Sequence, residues 1–457
     1  MPELPEVQTV LDTLKKHIKD SKIIDIKIFY KPIVDCKESV FKKALINQHF
    51  REFKRRGKYL LFEMDDITLV SHLRMEGKYF ILDESTPLSK HDHVIFYLDD
   101  GRQLRYNDVR KFGRMELIPK QKEYKDFHGL GVEPFSDDFN FDYCKNYLMN
   151  VKKPIKEVLL DQSFIAGIGN IYADEINYAI KVNPNTLACD LNSKDIKKLI
   201  KETRIILARA IKAGGTTIRS YTSSLGVTGR FQLSLKVHTI DKCPKCKTEI
   251  KKIVIGGRGT YYCPNCQKKR IKLAITGNIG SGKTEASNSF RRRGFYVFDA
   301  DETNRKLLAK NGLGYKEVRK HFSHCFINNE LDKKKLANEV FNDIKAKRKL
   351  EGIMHPLIMK EMKNQMDKSE FFIAEIPLLF ETGWDKYFNN TLLISSDEKT
   401  TIKRLKNRGF SPKQAKERIK NQMSTEEKTK RASKVIYNNG SLSELDQSIG
   451  EYIKELC

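Results

Sequence analysis

The chain has 457 residues, enough for about three domains, and 39% of them are hydrophobic, which excludes a wholly disordered protein. Its 85 Lys and Arg against 59 Asp and Glu leave a formal charge of +26, so polyanions, nucleic acid first among them, are the expected partners. No run of about 18 apolar residues and no basic-then-apolar leader is present; with nine cysteines in a dispersed, odd-numbered set, this argues against a membrane span or a secreted disulfide framework and predicts the reducing cytoplasm.

The chain opens Met1-Pro2-Glu3-Leu4-Pro5-Glu6-Val7. Removal of Met1 would leave a secondary amine at Pro2 beside the Glu3 carboxylate. Such an amine can attack a carbon at the aldehyde oxidation level and form a Schiff base, and the carboxylate can move protons during the attack. The alternative is a Pro-interrupted, unstructured terminus.

From Ile23 to Leu117 short β-forming runs recur, among them Tyr59–Phe62, Val94–Leu98 and Gln103–Tyr106. Asp99-Asp100-Gly101-Arg102 between the last two is a hairpin signal. This predicts an antiparallel sandwich or barrel. From Asp138 to Ala213 the pattern becomes helical. Within it, Gly167-Ile168-Gly169-Asn170 should end one helix and start the next, with Asn170 as cap. The free N–H groups of such a start can hold a phosphate, though a plain turn between packed helices reads equally well.

Cys243-Pro244-Lys245-Cys246 and Cys263-Pro264-Asn265-Cys266 are two C-x2-C pairs, the spacing of a closed, structural four-cysteine zinc site. A redox pair is the alternative. Between them Ile250–Ile255 and Thr260–Tyr262 read as strands joined by a basic turn, Gly256-Gly257-Arg258-Gly259.

Together these residues resemble the bacterial formamidopyrimidine-DNA glycosylases (8-oxoguanine DNA glycosylase/AP lyases). The resemblance spans residues 1 to about 268. It also includes Arg56-Gly57-Lys58-Tyr59-Leu60, His72-Leu73-Arg74-Met75-Glu76-Gly77, Asn107–Gly113, Leu130-Gly131-Val132-Glu133-Pro134 and Gly214-Gly215-Thr216-Thr217, all in the family's order. It implies an N-terminal β-sandwich (1–135), a helix–two-turn–helix module (136–225) and a zinc finger (226–269). By resemblance, Pro2 is the nucleophile toward the C1′ of a flipped-out nucleotide and Glu3 the acid/base. Lys58 and Arg258 contact phosphates and assist β,δ-elimination. Met75, Arg110 and Phe112 match the triad that fills the vacated stack. His72, His91, Lys152, Lys156 and Asn170 match DNA-gripping positions, and 216–229 would cover the extruded base. Pro2-Glu3-Leu4 with this wedge implies the branch acting on oxidised purines in double-stranded DNA.

After Lys268-Lys269-Arg270 a buried-strand run, Ile271–Thr276, leads into Gly277-Asn278-Ile279-Gly280-Ser281-Gly282-Lys283-Thr284. This is a P-loop in its proper strand–loop–helix context. The Gly280, Ser281 and Gly282 backbone would cradle the phosphates of ATP, Lys283 would meet the β/γ oxygens, and the Thr284 hydroxyl would serve Mg²⁺. Phe295–Phe298 reads as a strand ending in Asp299-Ala300-Asp301, carboxylates at the ligand edge of a parallel sheet. Phe371–Ile376 and Thr391–Ile394 are further strands. Arg404, Lys406, Arg408 and Arg418 flank Gly409 on helical segments, either closing over a triphosphate or simply solvated.

This part (270–457), read as an α/β P-loop kinase with a parallel sheet, resembles dephospho-coenzyme A kinase. The later motifs that narrow it are Leu350–Pro356, Pro377-Leu378-Leu379-Phe380-Glu381 and Asn438-Asn439-Gly440. The resemblance implies transfer of the ATP γ-phosphate to the ribose 3′-hydroxyl of dephospho-CoA, with Asp301 as base and Arg404 and Arg408 as lid residues. Asn278 stands where glycine is usual and Glu285 where Ser or Thr is usual. The whole is then a bifunctional enzyme. The alternatives for the second half are a nucleoside or nucleotide kinase, or a non-catalytic ATP-binding module.

Overall fold

A computed structural model describes residues 1–121, 124, 127–216 and 230–456. The chain divides into two compact units, Met1–Leu191 with Asp195–Lys268, and Asn192–Lys194 with Lys269–Cys457.

The first unit begins with helix α1 (Leu4–Ile18), which has Pro5 in its first turn, where a missing N–H costs nothing. Strands β1 (Ile23–Ile28), β2 (Glu52–Arg56), β3 (Tyr59–Glu63), β4 (Ile67–His72), β5 (Lys78–Asp83), β6 (Asp92–Leu98), β7 (Arg102–Asn107) and β8 (Arg114–Pro119) follow, with α2 (Glu38–Leu45) after β1. They form two antiparallel sheets, ordered β1-β6-β7-β5 and β2-β3-β4-β8. Ile26, Phe96 and Leu104 from one sheet and Phe53, Phe62 and Leu69 from the other share one core with the apolar stripe of α1. The expected sandwich is therefore present, and Asp99-Asp100-Gly101 turns β6 into β7 with Gly101 at φ +81°.

Helices α3 (Phe141–Leu148), α4 (Ile155–Leu160), α5 (Asn170–Ile180) and α6 (Ser193–Lys212) make the helical module around a second core. The hairpin β9 (Lys251–Ile255) and β10 (Arg258–Tyr262) follows, joined by Gly256 and Gly257, both at positive φ. The turn is thus the two glycines alone. Arg258, expected within it, opens β10 because its side chain needs no left-handed backbone.

In the second unit β11 (Ile271–Thr276) enters the P-loop and α7 (Lys283–Arg292) leaves it. Then come β12 (Val297–Asp299), α8 (Ala300–Leu308), α9 (Leu313–His321), a two-residue hairpin β13/β14 (Phe326–Ile327, Glu330–Leu331), α10 (Lys333–Asn342) and α11 (Ile344–Lys368). They are followed by β15 (Phe371–Glu375), β16 (Asn390–Ser395), α12 (Glu398–Asn407), α13 (Pro412–Lys420), α14 (Thr425–Arg431), β17 (Lys434–Tyr437) and α15 (Leu442–Leu456). The sheet is wholly parallel in the order β12-β15-β11-β16-β17. Its strands alternate between two cores: Ala274 and Phe372 face one, Leu273 and Ile373 the other. Burial on both faces explains their near-continuous apolar sequence. No helix among the described residues is long and apolar enough to cross a membrane.

Candidate functional sites

Glu3 is the N-cap of α1 and forms a reciprocal capping box with Glu6, whose Oε2 accepts the Glu3 N–H at 2.9 Å. The same Glu3 carboxylate also reaches α5. Its Oε2 accepts the Gly169 N–H at 2.7 Å and its Oε1 the Ile171 N–H at 3.0 Å. The helix start that the sequence offers to a phosphate is thus taken by Glu3. Gly169, not Asn170, is the N-cap. The reason is steric: a Cβ on Gly169 would lie 2.2 Å from the Glu3 Cδ. Pro2 is buried while Met1 is exposed, so the residue to be removed is the accessible one.

Lys58 reaches the same place from the turn between β2 and β3. Gly57 there adopts φ +56° and its N–H donates to Glu133 Oε1 at 2.6 Å. Arg55 and Arg56 pair with Glu133, and Arg56 also donates to the Leu130 and Gly131 carbonyls. Two motifs far apart in sequence therefore build one clamp. The charges lining the adjoining cleft of about 740 Å³ include this mutually paired set, and none of the expected site residues lies there. The Lys58 ammonium, 6% exposed, donates to the Ile168 carbonyl at 2.8 Å. Burial pushes its pKa down, while Glu3 and Glu6 pull it up and Arg258 lowers it further. Glu3, Lys58 and Arg258 thus share one electrostatic site.

The expected wedge residues are also brought together. Asp108, fully buried, accepts the N–H groups of Arg110, Phe112 and Gly113 at 2.8–2.9 Å. It holds Arg110 and Phe112 outward, the guanidinium 4.8 Å from the ring centroid. Phe112 is 48% exposed, an unfavourable position for a phenyl ring without a partner. Gly77 and Gly113 both press on the Tyr106 hydroxyl, where either Cβ would collide. That shared contact sets the Met75 turn beside the Arg110 loop. His91 adjoins it through its carbonyl, which accepts the Asp108 N–H. Asp108 was not singled out in the sequence, although Asn-Asp-x-Arg is an Asx-turn signal.

Two expected DNA grips stand differently. His72 is 7% exposed, its Nδ1 accepting the Arg74 N–H at 2.9 Å. Burial, with Arg74 and Lys58 nearby, pushes its pKa down to about 3, so the ring is neutral. Lys156 is fully buried, its ammonium on Asp174 Oδ1 at 2.6 Å and the Asn170 carbonyl at 2.8 Å. Asp174 also meets His238 Nδ1 at 2.6 Å. Lys156 in this geometry braces the head of α5 and does not face solvent, because a buried ammonium requires its carboxylate. Asn170 donates to the Gly259 carbonyl at 2.9 Å, next to Arg258, and its Oδ1 is a buried acceptor with no partner among the described residues. Lys152 is exposed. Of the expected lid only Thr216 is described, bound to Glu6 through its N–H and hydroxyl. Residues 217–229 lie outside the described set.

The four sulfurs of Cys243, Cys246, Cys263 and Cys266 lie within 4.8 Å of one another. Cys243 and Cys266 are 3.8 Å apart, Cys246 and Cys263 3.4 Å. A tetrahedron with Zn–S near 2.3 Å has edges of about 3.8 Å, so the four thiols fit zinc without rearrangement. The Tyr178 hydroxyl lies 3.3 Å from the Cys243 sulfur.

In the second unit Gly277, Gly280 and Gly282 turn the P-loop at positive φ. Gly282 has no room for a Cβ because the Asn438 amide would sit 2.1 Å away; that amide donates to the Ser281 carbonyl at 2.8 Å. Arg404 reaches the same carbonyl at 3.4 Å and Asn438 Oδ1 at 3.3 Å. Lys283 lies over the loop on the Asn278 carbonyl at 3.2 Å, and burial pushes its pKa down to about 8. Arg408 is the exposed C-cap of α12, within electrostatic reach of Lys283. Arg418 instead covers the Phe410 ring and Lys406 is exposed.

Thr284 donates to Glu375 Oε1 at 3.0 Å. Glu375, at the end of β15, escaped the sequence reading because it sits inside an apolar run. Asp299 caps α8 by accepting the Glu302 N–H. Asp301 faces a cavity of about 200 Å³ with Asn304, Leu350, Met354, His355 and Trp384. Burial and the neighbouring Asp299 raise its pKa. Asn278 Oδ1, Ser281 Oγ, Asn304 Oδ1 and Glu375 Oε2 are buried without partners among the described residues. So many orphaned polar atoms around one loop mark a polar ligand's place.

A carboxylate–lysine site at the head of α5 beside a four-cysteine finger, and a separate P-loop site, define a two-enzyme chain. Residues 1–115, 130–222 and 241–269 match the formamidopyrimidine-DNA glycosylase N-terminal domain, its H2TH domain and the zinc finger found in FPG and IleRS. Residues 271–444 match dephospho-CoA kinase. The chain is 47% identical over 273 residues to the formamidopyrimidine-DNA glycosylase of Ligilactobacillus salivarius, covering 58% of this chain and 99% of that one. It is 44% identical to that of Cytobacillus firmus, covering 58% and 100%. A crystal structure of Lactococcus lactis Fpg with N7-benzyl-Fapy-dG DNA is 43% identical, covering 59% of this chain and all of that one at a TM-score of 0.56. The chain belongs to the formamidopyrimidine-DNA glycosylase family and carries a dephospho-CoA kinase domain after it.

Proposed function

We propose that the first unit excises oxidised purines, 8-oxoguanine and formamidopyrimidines, from double-stranded DNA and cuts the resulting abasic site. The observation that carries this reading is the Glu3 carboxylate pinned to the head of α5 beside Lys58. After Met1 removal, the Pro2 nitrogen lone pair attacks the deoxyribose C1′ and the glycosidic bond breaks toward the base. Glu3, held at a fixed point, handles protons of the sugar and the leaving base. The Schiff base acidifies the sugar, and β- then δ-elimination follows. Lys58 and Arg258 hold flanking phosphates, with Arg258 placed by the zinc hairpin and by Asn170 at Gly259. Phe112, Arg110 and Met75 occupy the gap left in the duplex, where Arg110 can hydrogen-bond the orphaned cytosine. His72 serves as a neutral hydrogen-bonding ring, and His91 and Lys152 as outer contacts. Zinc, when bound by the four cysteines, supplies structure and no chemistry. Borohydride trapping on an 8-oxoguanine duplex tests this reading. A chain with residues added before Pro2 must fail to trap.

For the second unit we infer phosphoryl transfer from ATP to the 3′-hydroxyl of dephospho-CoA. The carrying observation is the P-loop with its two orphaned polar atoms, Asn278 Oδ1 and Ser281 Oγ, beside those of Glu375 and Asn304 and the Asp301 cavity. Gly280, Ser281, Gly282 and Lys283 bind the phosphates, and Arg404 and Arg408 close over them. Thr284 and Glu375 would hold Mg²⁺, which neutralises phosphate charge when bound. Asp301 takes the acceptor proton. The apolar wall of the cavity, Met354 and Trp384 foremost, suits the acceptor's adenine. A panel of acceptors with ATP tests this: turnover of nucleosides or nucleotides, without dephospho-CoA, would favour a nucleotide kinase. Both activities support a cytoplasmic location for the chain.

A further inference from the structure

The side chain of Lys428, on α14, is completely buried. Its ammonium lies 2.8 Å from Glu381 Oε1, yet the contact is not aligned as a hydrogen bond. None of its N–H donors has a partner among the described residues. Glu381 balances its charge, and the remaining N–H donors of the buried ammonium are open to a second anion. The segment leading into α14 is hooked onto the P-loop. The Ile279 N–H donates to Gln422 at 2.8 Å, and Asn278 Nδ2 to the Met423 carbonyl and Thr425 hydroxyl at 3.3 and 3.2 Å. The Met423 N–H in turn meets Glu381. Asn278, the departure from the usual glycine, thus supplies the side-chain ties of this segment to the loop, beside the Ile279 N–H. Lys428 also acts electrostatically on Lys283, disfavouring its charge, as Arg408 does, against the pull of Glu375 and Asp301. Buried Lys428 and exposed Arg408 both act on half-buried Lys283, and three cations within mutual electrostatic reach suit a polyphosphate.

We propose that Lys428 is a further catalytic residue of the kinase half, its ammonium contacting a γ-phosphate oxygen of ATP while Glu381 holds it in position. In the transfer, the acceptor oxygen bonds to Pγ and its proton passes to Asp301. The bond from Pγ to the bridging oxygen breaks and its electron pair leaves with ADP. Lys428 keeps its proton and balances charge on the moving phosphoryl group. This rests on the reading of the second unit as an ATP-using phosphotransferase.

The test compares Lys428→Met and Lys428→Arg in the full chain. Affinities for Mg-ADP and for a non-hydrolysable Mg-ATP analogue are measured by calorimetry, without acceptor. Lys428→Met should lose about tenfold or more for the analogue and stay within about twofold for ADP. Its kcat should fall about 100-fold, and Lys428→Arg should recover part of both. Equal weakening for both nucleotides, or no change in either, overturns the proposal. Where Lys428→Met does not fold, the Arg variant decides: it must keep the preference for the analogue over ADP. If the wild type turns over a different acceptor, the acceptor assignment fails while the nucleotide comparison still judges Lys428. A wild type that binds neither nucleotide rejects the ATP reading itself.

Discussion

The Glu3 carboxylate and the Gly169 amide, 166 residues apart, meet at 2.7 Å. The bond fixes the start of α1 to the start of α5 and decides which group occupies the helix head. Only glycine at position 169 leaves room for Glu3.

Gly169→Ala should therefore cut single-turnover excision of 8-oxoguanine by about 100-fold, the scale of an ångström-level misplacement. Affinity for a duplex carrying a stable abasic analogue should change less than about threefold, because the wedge and the zinc hairpin are untouched. Full activity in the variant would show that the Glu3–Gly169 contact has no part in catalysis. Glu3→Gln should lose base excision in the same assay and keep DNA affinity.

His72 gives the first unit a pH-dependent stability. Its folded pKa, pushed down to about 3 by burial first and then by Arg74 and Lys58, lies below the unfolded value near 6.5. The unfolded chain therefore takes up the proton first. The His72 contribution is complete above about pH 6.5 and is lost as pH falls toward 3, at about 1.4 kcal/mol per pH unit. Urea melts of wild type and His72→Gln should converge in pH dependence above pH 7 and separate between pH 6 and 4. Parallel curves would show that the ring is protonated in the folded state.

Zinc removal should weaken DNA binding without unfolding the sandwich. The four cysteines shape the hairpin that presents Arg258, and Asn170 grips that hairpin only at the Gly259 carbonyl. Chelation, verified by metal analysis, should reduce duplex affinity and flatten its salt dependence by about one phosphate contact, as should Arg258→Ala. Unchanged binding by the metal-free protein would contradict a structural role for the four thiols.

The sandwich, the helical module and the parallel sheet were legible because their signals are local: alternation, hairpin residues, helix periodicity and a P-loop between a strand and a helix. The four cysteines were legible from spacing alone. The helix head at Gly169 was misjudged because its occupant comes from residue 3, a contact that no local pattern encodes. Glu375 was passed over for a similar reason, since it acts on a Thr284 hydroxyl brought near by folding, whereas Asp108 carries a local Asx-turn signal that went unread. The partner of the Lys156 ammonium was not legible either, since a lysine's charge can point to solvent or to a buried Asp174 from the same Cα.

The two activities should be separable by single substitutions and show no coupling. Lys283 belongs to the P-loop, and its ammonium is held by the Asn278 carbonyl within the second unit. Lys283→Ala should abolish phosphorylation of dephospho-CoA and leave strand cleavage at 8-oxoguanine within about twofold. The substrates share no intermediate, so neither ligand has a chemical reason to bind one state of the other unit better. Allosteric coupling requires such a differential affinity, and it is reciprocal. Saturating ATP and dephospho-CoA should leave the Kd for lesion DNA unchanged, and saturating DNA should leave the Kd for ATP unchanged. The boundary between the compact units falls between Lys268 and Lys269, so separate chains ending and starting there should each keep their activity. A matched shift in both Kd values, or loss of one activity on separation, would establish coupling between the units.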